Sequence, residues 1–198
     1  MKKVALSIIN PVSYLVCSGA KWVENRNWKT DYRGRIYIHS SGQKGFAVLS
    51  RDNFPERIIK DCAEIQKELG NNPSESDIDI AIEKYGADRW NDAMLYAESC
   101  EKMDALYSRY YGSEWRSLIN DKPSFKNLVK DKGFCLKNYA IIGHVDLVDI
   151  VDDTTSLWAD NSLYYWIFDN PVLYEKPVIN VKGKLRLFDV SHIDMPDD

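Results

Sequence analysis

The fold of this chain is decided at Gly19-Ala20-Lys21-Trp22-Val23-Glu24-Asn25-Arg26-Asn27-Trp28-Lys29. Before Gly19, the apolar residues Val12, Leu15 and Val16 are spaced for one face of a short helix. Asn10-Pro11 starts that helix, with Asn10 expected as its cap and Pro11 at its first helical position. Gly19 ends it, since glycine takes the left-handed conformation at low cost. From Trp22 the pattern has a period of two. Trp22, Glu24, Arg26 and Trp28 share one face of an extended segment, and Val23, Asn25 and Asn27 share the other. A helix-to-strand junction thus gathers Lys21, Glu24, Arg26 and Lys29 beside two tryptophans.

Working outward, Val4 to Ile9 reads as a buried strand, Asp31 to Gly34 as a turn, and Arg35 to Ser40 as a strand whose Ile36 and Ile38 face one side. From Phe54 to Tyr111 the texture is helical. Ile58, Ile59, Cys62, Ile65 and Leu69 follow the 3.6 period. Gly70 to Pro73 stops that helix, and Ser74 or Ser76 caps the next, which carries Ile78, Ile80, Ala81, Ile82 and Tyr85. A third helix is expected over Asp88 to Tyr110, with Trp90, Met94, Ala97, Met103, Leu106 and Tyr110 inward. Strands return at Tyr139 to Val151, Leu163 to Ile167 reads as a strand or a short aromatic segment, Pro171 to Glu175 and Pro177-Val178 are extended, Leu185 to Val190 closes the pattern, and Met195 to Asp198 is expected to be a mobile tail. Neither β-rich block is sufficient alone. The organisation expected is therefore α+β: one β-barrel from residues 1–50 and 136–190, a helical insertion over 51–135, and a tail at 191–198.

Composition narrows the class. The chain has 198 residues, 44% of them apolar, enough for a packed core. Twelve tyrosines and six tryptophans fill cores and also stack on rings and bases. Cys17, Cys62, Cys100 and Cys135 are far apart and only three histidines accompany them, which suits neither a metal site nor a disulfide framework. Reduced thiols in the cytoplasm and no metal or other cofactor are expected. No stretch approaches the roughly 18 apolar residues of a membrane span, so no membrane partner is expected. Residues 1–50 hold eight Lys or Arg against two Asp or Glu, whereas the remainder holds eighteen against twenty-eight. A basic first quarter suits a phosphate backbone, and the acidic remainder argues against wrapping long duplex DNA.

The polar junction also carries a likeness. The run Leu6-Ser7-Ile8, Pro11, Gly19-x-Lys21-x-x-Glu24-x-Arg26-x-Trp28, Tyr32-Arg33-Gly34 and Ile38-His39-Ser40-Ser41 resembles the ASCH domain family. Gly143-His144-Val145-x-Leu147-Val148-Asp149, Tyr165-Trp166-x-Phe168-x-Asn170-Pro171, Lys176-Pro177 and Lys182-Gly183-Lys184-Leu185-x-x-Phe188 continue it in order. The match covers residues 4–50 and 140–190, and the helical region between them matches no known pattern. The resemblance implies a PUA-like β-barrel with a family-atypical helical insertion. It also implies a cleft lined by the G-x-K-x-x-E-x-R element that binds RNA or a nucleotide.

Carried over residue by residue, it points to Lys21, Glu24 and Arg26, with Trp28, Lys29, Arg33, Ser40 and Ser41 as further ligand-binding candidates. Lys and Arg hold phosphate as a point charge and a fork, a carboxylate accepts from an exocyclic amine, and Trp28 offers a stacking face. Each has a structural alternative: Glu24 and Arg26 as an ion pair, Trp28 and His39 as packing residues, Ser40-Ser41 as a turn cap. One branch of the family is an amidohydrolase for acetylated cytidine that uses a Lys, a Thr nucleophile and a Glu. Here Glu24 occupies that threonine's position, with Thr30 and Ser40 as possible substitutes. Three functions follow: an RNA- or nucleotide-binding module; a small hydrolase of RNA or a modified nucleoside, with Lys21 and Glu24 as catalytic groups; or a scaffold that captures a protein partner through the helical insertion.

Overall fold

The computed structural model describes residues 2–43, 56–120, 137–154, 156, 158–159 and 161–196. Phe54, Cys135, Asp197 and Asp198, and the segment boundaries expected near 50 and 135, lie outside these residues. The chain is a mixed α+β protein built on a curled six-stranded half-barrel sheet. The strands are β1 (Val4–Asn10), β2 (Val23–Arg26), β3 (Gly34–Gln43), β4 (Ala140–Val151), β5 (Tyr164–Val178) and β6 (Leu187–Asp189), in the order β2-β5-β4-β3-β1-β6. Helix α1 (Val12–Cys17) joins β1 to β2. Helices α2 (Glu56–Leu69), α3 (Glu75–Tyr85), α4 (Ala87–Tyr111) and α5 (Trp115–Asn120) lie between β3 and β4 in the chain.

β1 and β3 pair in parallel, Val4 opposite Ile36 and Leu6 opposite Ile38. A parallel pair needs a long crossover, which α1 and β2 provide. All other pairings are antiparallel. Both faces of the sheet are covered. Val4, Leu6, Ile8, Ile36, Ile38, Ile142, Val145 and Leu147 face the main core with α1 and α4, while Ala5, Tyr37, Ile141, Tyr174 and Phe188 form a smaller core on the opposite face. That is why β1 and β4 read as continuous apolar runs rather than clean alternations.

The curl is visible in contacts between strands far apart in the sheet order. Arg26 on β2 donates to the Ser7 carbonyl on β1 at 3.1 Å, although three strands separate them. Arg186, just before β6, lies over the Trp28 ring, just after β2. Register shifts along β4 produce the bending, as bulges do. Gly143 sits in one of them, because a Cβ there would lie 2.0 Å from the Val172 carbonyl oxygen.

Four local expectations change. Asn10 is not the helix cap: it is the buried last residue of β1, and its amide donates to Asn138 Oδ1 at 2.9 Å. Pro11 is the cap residue, after a cis Asn10-Pro11 bond, and its carbonyl accepts from Tyr14 and Leu15. The segments expected at Leu163 to Ile167, Pro171 to Glu175 and Pro177-Val178 form one strand, β5. Pro171 survives there because Asn170, at φ 47°, and Pro171 occupy the register shift between Asp169 and Val172, where no ladder N–H is needed. In α4, Met103 and Leu106 face the main core as expected, joined by Tyr107 and Tyr111, whereas Trp90, Met94 and Ala97 pack partly buried on a small cluster around Cys62, Ile65 and Ala93. Along its length the helix passes from α2 to α1 and the main core, so one stripe does not describe it. Finally, Met195 in the expected tail packs against the smaller core.

The helical boundaries follow the sequence signals. Ser74 caps α3, and Asp77 returns the bond to the Ser74 N–H, a full capping box. Asp61 on α2 is buried and receives Arg89 Nε from α4 at 2.9 Å. Among the described residues no helix is long and apolar enough to cross a membrane. Cys17, Cys62 and Cys100 are free thiols.

Candidate functional site

The turn from α1 into β2 is fixed by the backbone. Gly19, at φ +76°, donates to the Val16 carbonyl, and Lys21 N–H reaches back to the Leu15 carbonyl at 3.1 Å. A side chain at Gly19 would meet Pro171 Cγ at 2.9 Å. Glycine is therefore needed twice, for the left-handed conformation and for the approach of β5. With the end of α1 clamped this way, the Lys21 side chain is directed inward, and the residue is only 6% exposed.

There it meets Glu24. Lys21 Nζ donates to Glu24 Oε2 at 3.2 Å and to the Val23 carbonyl, and lies 5.7 Å from the centre of the Trp158 ring. The other Glu24 oxygen pairs with Arg26 Nη2 at 3.1 Å. The strand period explains why Glu24 and Arg26 meet, since both project from the face that carries Trp166 on β5. The result is a largely buried triad of two cations sharing one carboxylate. Arg26 Nε is buried without a hydrogen-bond partner among the described residues. Trp158 closes the site from the β4–β5 connection, its ring N–H bonded to the Ala20 carbonyl at 2.9 Å. Sequence spacing gave no sign of that contact, which joins residues 138 positions apart.

The other expected site residues are placed as follows. Trp28 packs half-buried on the main core, edge-to-face with Trp166 at 4.6 Å, and its own carbonyl accepts from Trp166 Nε1. Lys29 is exposed, with its ammonium 5.7 Å from the Tyr164 ring centre. Arg33 is exposed and pairs with Asp149 at 3.4 Å. Ser40 is fully buried and accepts from Ser13 Oγ at 3.0 Å, at the start of α1, whereas Lys21 follows its end. Ser41 is half-buried, opposite Ile9 on β1. The structure therefore brings Lys21, Glu24 and Arg26 together and leaves Lys29, Arg33 and Ser40 in other contacts.

Lys21 is the member of the triad that reaches a cleft. A cavity of about 280 Å³ lies between the α1–β2 turn, α4 and β5, with Gly19, Lys21 and Trp22 on one side. Phe168, Asp169 and Pro171 of β5 and Leu95, Glu98, Ser99 and Lys102 of α4 also line it. The helical block thus takes part in the site, which its amphipathic pattern alone did not indicate. Lys102 pairs with Glu98 at 2.6 Å, one turn away on α4. A second depression of about 420 Å³ lies on the opposite face of the sheet, lined by Val181, Lys182, Lys184 and His192 among others. Beneath it His39 is buried between Ser7 Oγ on Nδ1 and the Val181 carbonyl on Nε2, and burial holds its imidazole below the ordinary value.

No family model matches the chain, and no curated protein matches it.

Proposed function

We propose that this chain is an ASCH-type, PUA-like domain that binds RNA or a nucleotide in the cleft beside Gly19 and Lys21, in the cytoplasm. One observation carries the reading: the G-x-K-x-x-E-x-R residues converge into one buried triad, and its lysine opens onto a cavity. Burying three charged groups is expensive, and a well-packed apolar cluster of the same size is often as stable. A ligand gives such a triad a purpose. Lys21 shares its carboxylate with Arg26, so an electron-rich carbonyl or phosphate oxygen completes its bonding. Trp22 and Phe168 supply apolar walls suited to a ring, and the volume lies near the lower end for small-molecule pockets, about 300 Å³.

Binding is favoured over hydrolysis by the state of Glu24. Both of its oxygens are engaged by cations, so neither is placed to take a proton from a substrate. The test is a titration of ribonucleotides and short single-stranded RNA, followed by tryptophan fluorescence, against wild type and Lys21→Met. Saturable binding that the variant loses by about tenfold or more supports the reading, since a charged hydrogen bond is worth about 1.5–3 kcal/mol. Equal affinity in a folded variant would overturn it.

A further inference from the structure

We propose that the depression on the opposite face of the sheet from the Lys21 cleft is a second binding site, which takes a small carboxylate with an apolar body, such as an arylalkanoate. Its volume of about 420 Å³ exceeds that of the cleft and falls in the usual range for small-molecule pockets, roughly 300–1,000 Å³. Part of its lining is apolar: Val181, Phe188 and Val190 belong to the smaller core, and Val178 and Ile193 pack partly buried against them. Lys182, Lys184 and His192 line it as well, and all three are exposed. The carboxylate in the lining is Asp189, whose Oδ1 already accepts the Ser191 N–H at 2.7 Å.

The segments that carry these groups are fixed in advance. Val181 N–H donates to the Tyr139 carbonyl, and buried His39 donates from Nε2 to the Val181 carbonyl, each at 2.9 Å. Three residues on, the Lys184 carbonyl accepts from Ser7 Oγ at 3.1 Å. Gly183 packs against the same two side chains, and a Cβ there would collide with the His39 ring and Ser7 Oγ. Glycine is needed for that approach, and the loop therefore presents Lys182 and Lys184 on a backbone tied at both ends. The other lining segment is held as well. Val190 N–H donates to the Lys3 carbonyl and Lys3 N–H to Ser191 Oγ, both at 2.9 Å, and Ile193 N–H to the Val190 carbonyl at 3.0 Å. A preformed site loses little freedom on binding. Neither Lys182 nor Lys184 takes part in an ion pair among the described residues, whereas Lys21 and Lys102 in the cleft each hold a carboxylate. Two ammoniums against Asp189 leave one positive charge in excess, which suits a monoanion. A bare anion would leave Val181 and Phe188 uncovered, and a neutral apolar molecule would leave the lysines unused. A carboxylate on an apolar body satisfies both.

The test titrates the full chain with hydrocinnamate, its neutral amide, acetate, inorganic phosphate and a short single-stranded RNA, followed by calorimetry and amide chemical shifts. Hydrocinnamate is expected to bind saturably, to shift the amides of Val181 to Lys184 and Phe188 to Ile193, and to weaken as salt is raised. The amide lacks the charge and acetate lacks the apolar body, so each should bind at least about fivefold more weakly. Lys182→Met and Lys184→Met should each weaken the acid about threefold, and the double variant about tenfold. Both lysines are exposed, so these variants keep the fold. Lys21→Met alters the cleft on the other face and should leave hydrocinnamate binding unchanged, which separates this site from the nucleotide reading. An amide that binds as tightly as the acid, undiminished affinity in the double variant, or shifts outside the depression overturns the proposal. So does the absence of saturable hydrocinnamate binding. Phosphate or RNA binding these residues more tightly than hydrocinnamate also overturns it, and assigns the depression to phosphate recognition instead.

Discussion

Removing Glu24 should destabilise the protein more than removing either of the cations it holds. In the triad, Lys21 and Arg26 share the Glu24 carboxylate, with side-chain exposures of 7% for Lys21, 12% for Glu24 and 21% for Arg26. Lys21→Met leaves a balanced Glu24–Arg26 pair, and Arg26→Met leaves a balanced Lys21–Glu24 pair. Glu24→Gln leaves two largely buried cations facing a neutral amide. Breaking a buried pair so that a charge is stranded costs about 3–5 kcal/mol. The lower end applies here, because Arg26 keeps the Ser7 carbonyl and Lys21 keeps the Val23 carbonyl. We expect about 3 kcal/mol for Glu24→Gln and about 1–2 kcal/mol for Lys21→Met, whose methylenes are retained. Urea unfolding at neutral pH measures both, provided the m-values agree. In the double variant the cost should fall below that of Glu24→Gln alone, because one stranded cation is gone. If Lys21→Met proves as costly as Glu24→Gln, charge sharing is not what holds this turn.

Three further outcomes follow from other contacts. Asp61 is held below the ordinary carboxylate value of 3.8, first by its hydrogen bond to Arg89, so the stability it adds is present above that value and is lost as pH falls through the lowered one. Asp61→Asn should cost about 1–2 kcal/mol at neutral pH, discounted for the exposure of both arginine partners, and flatten the acid limb of the unfolding midpoint below about pH 4. Gly143→Ala should cost about 3 kcal/mol in urea unfolding, because its Cβ meets the Val172 backbone oxygen and Cys17 Sγ. His39, held low by burial, adds stability above the ordinary imidazole value of 6.5 that is lost as pH drops through its lowered one. The unfolding midpoint should therefore decline below pH 6.5, and His39→Gln should lose that decline; an unchanged slope refutes the assignment.

The parts of the fold set by local chemistry were legible in the sequence. Gly19 ended α1 because a left-handed residue was needed there, and Ser74, one of the two serines expected to start α3, caps it. Glu24 and Arg26 met because strand residues two apart share a face. What could not be read depends on long-range packing. Ser99 and Lys102 become cleft residues only because α4 comes to lie beside the α1–β2 turn, and Trp158 reaches Lys21 only through the long-range contact that bonds its ring N–H to the Ala20 carbonyl. β5 was divided at Pro171 because the bulge that tolerates it depends on pairing with β4. Trp28, a stacking candidate by type, is taken up by Trp166 and Arg186.

The most direct test of the proposed cleft is an amide chemical-shift map of the full chain on adding a saturating ribonucleotide mixture. Binding in the cleft predicts that shifts cluster at Gly19, Lys21, Trp22, Ser99, Lys102 and Phe168, from three separate stretches of sequence. An unchanged spectrum, or shifts confined to the opposite depression around Val181, Lys184 and His192, would contradict it.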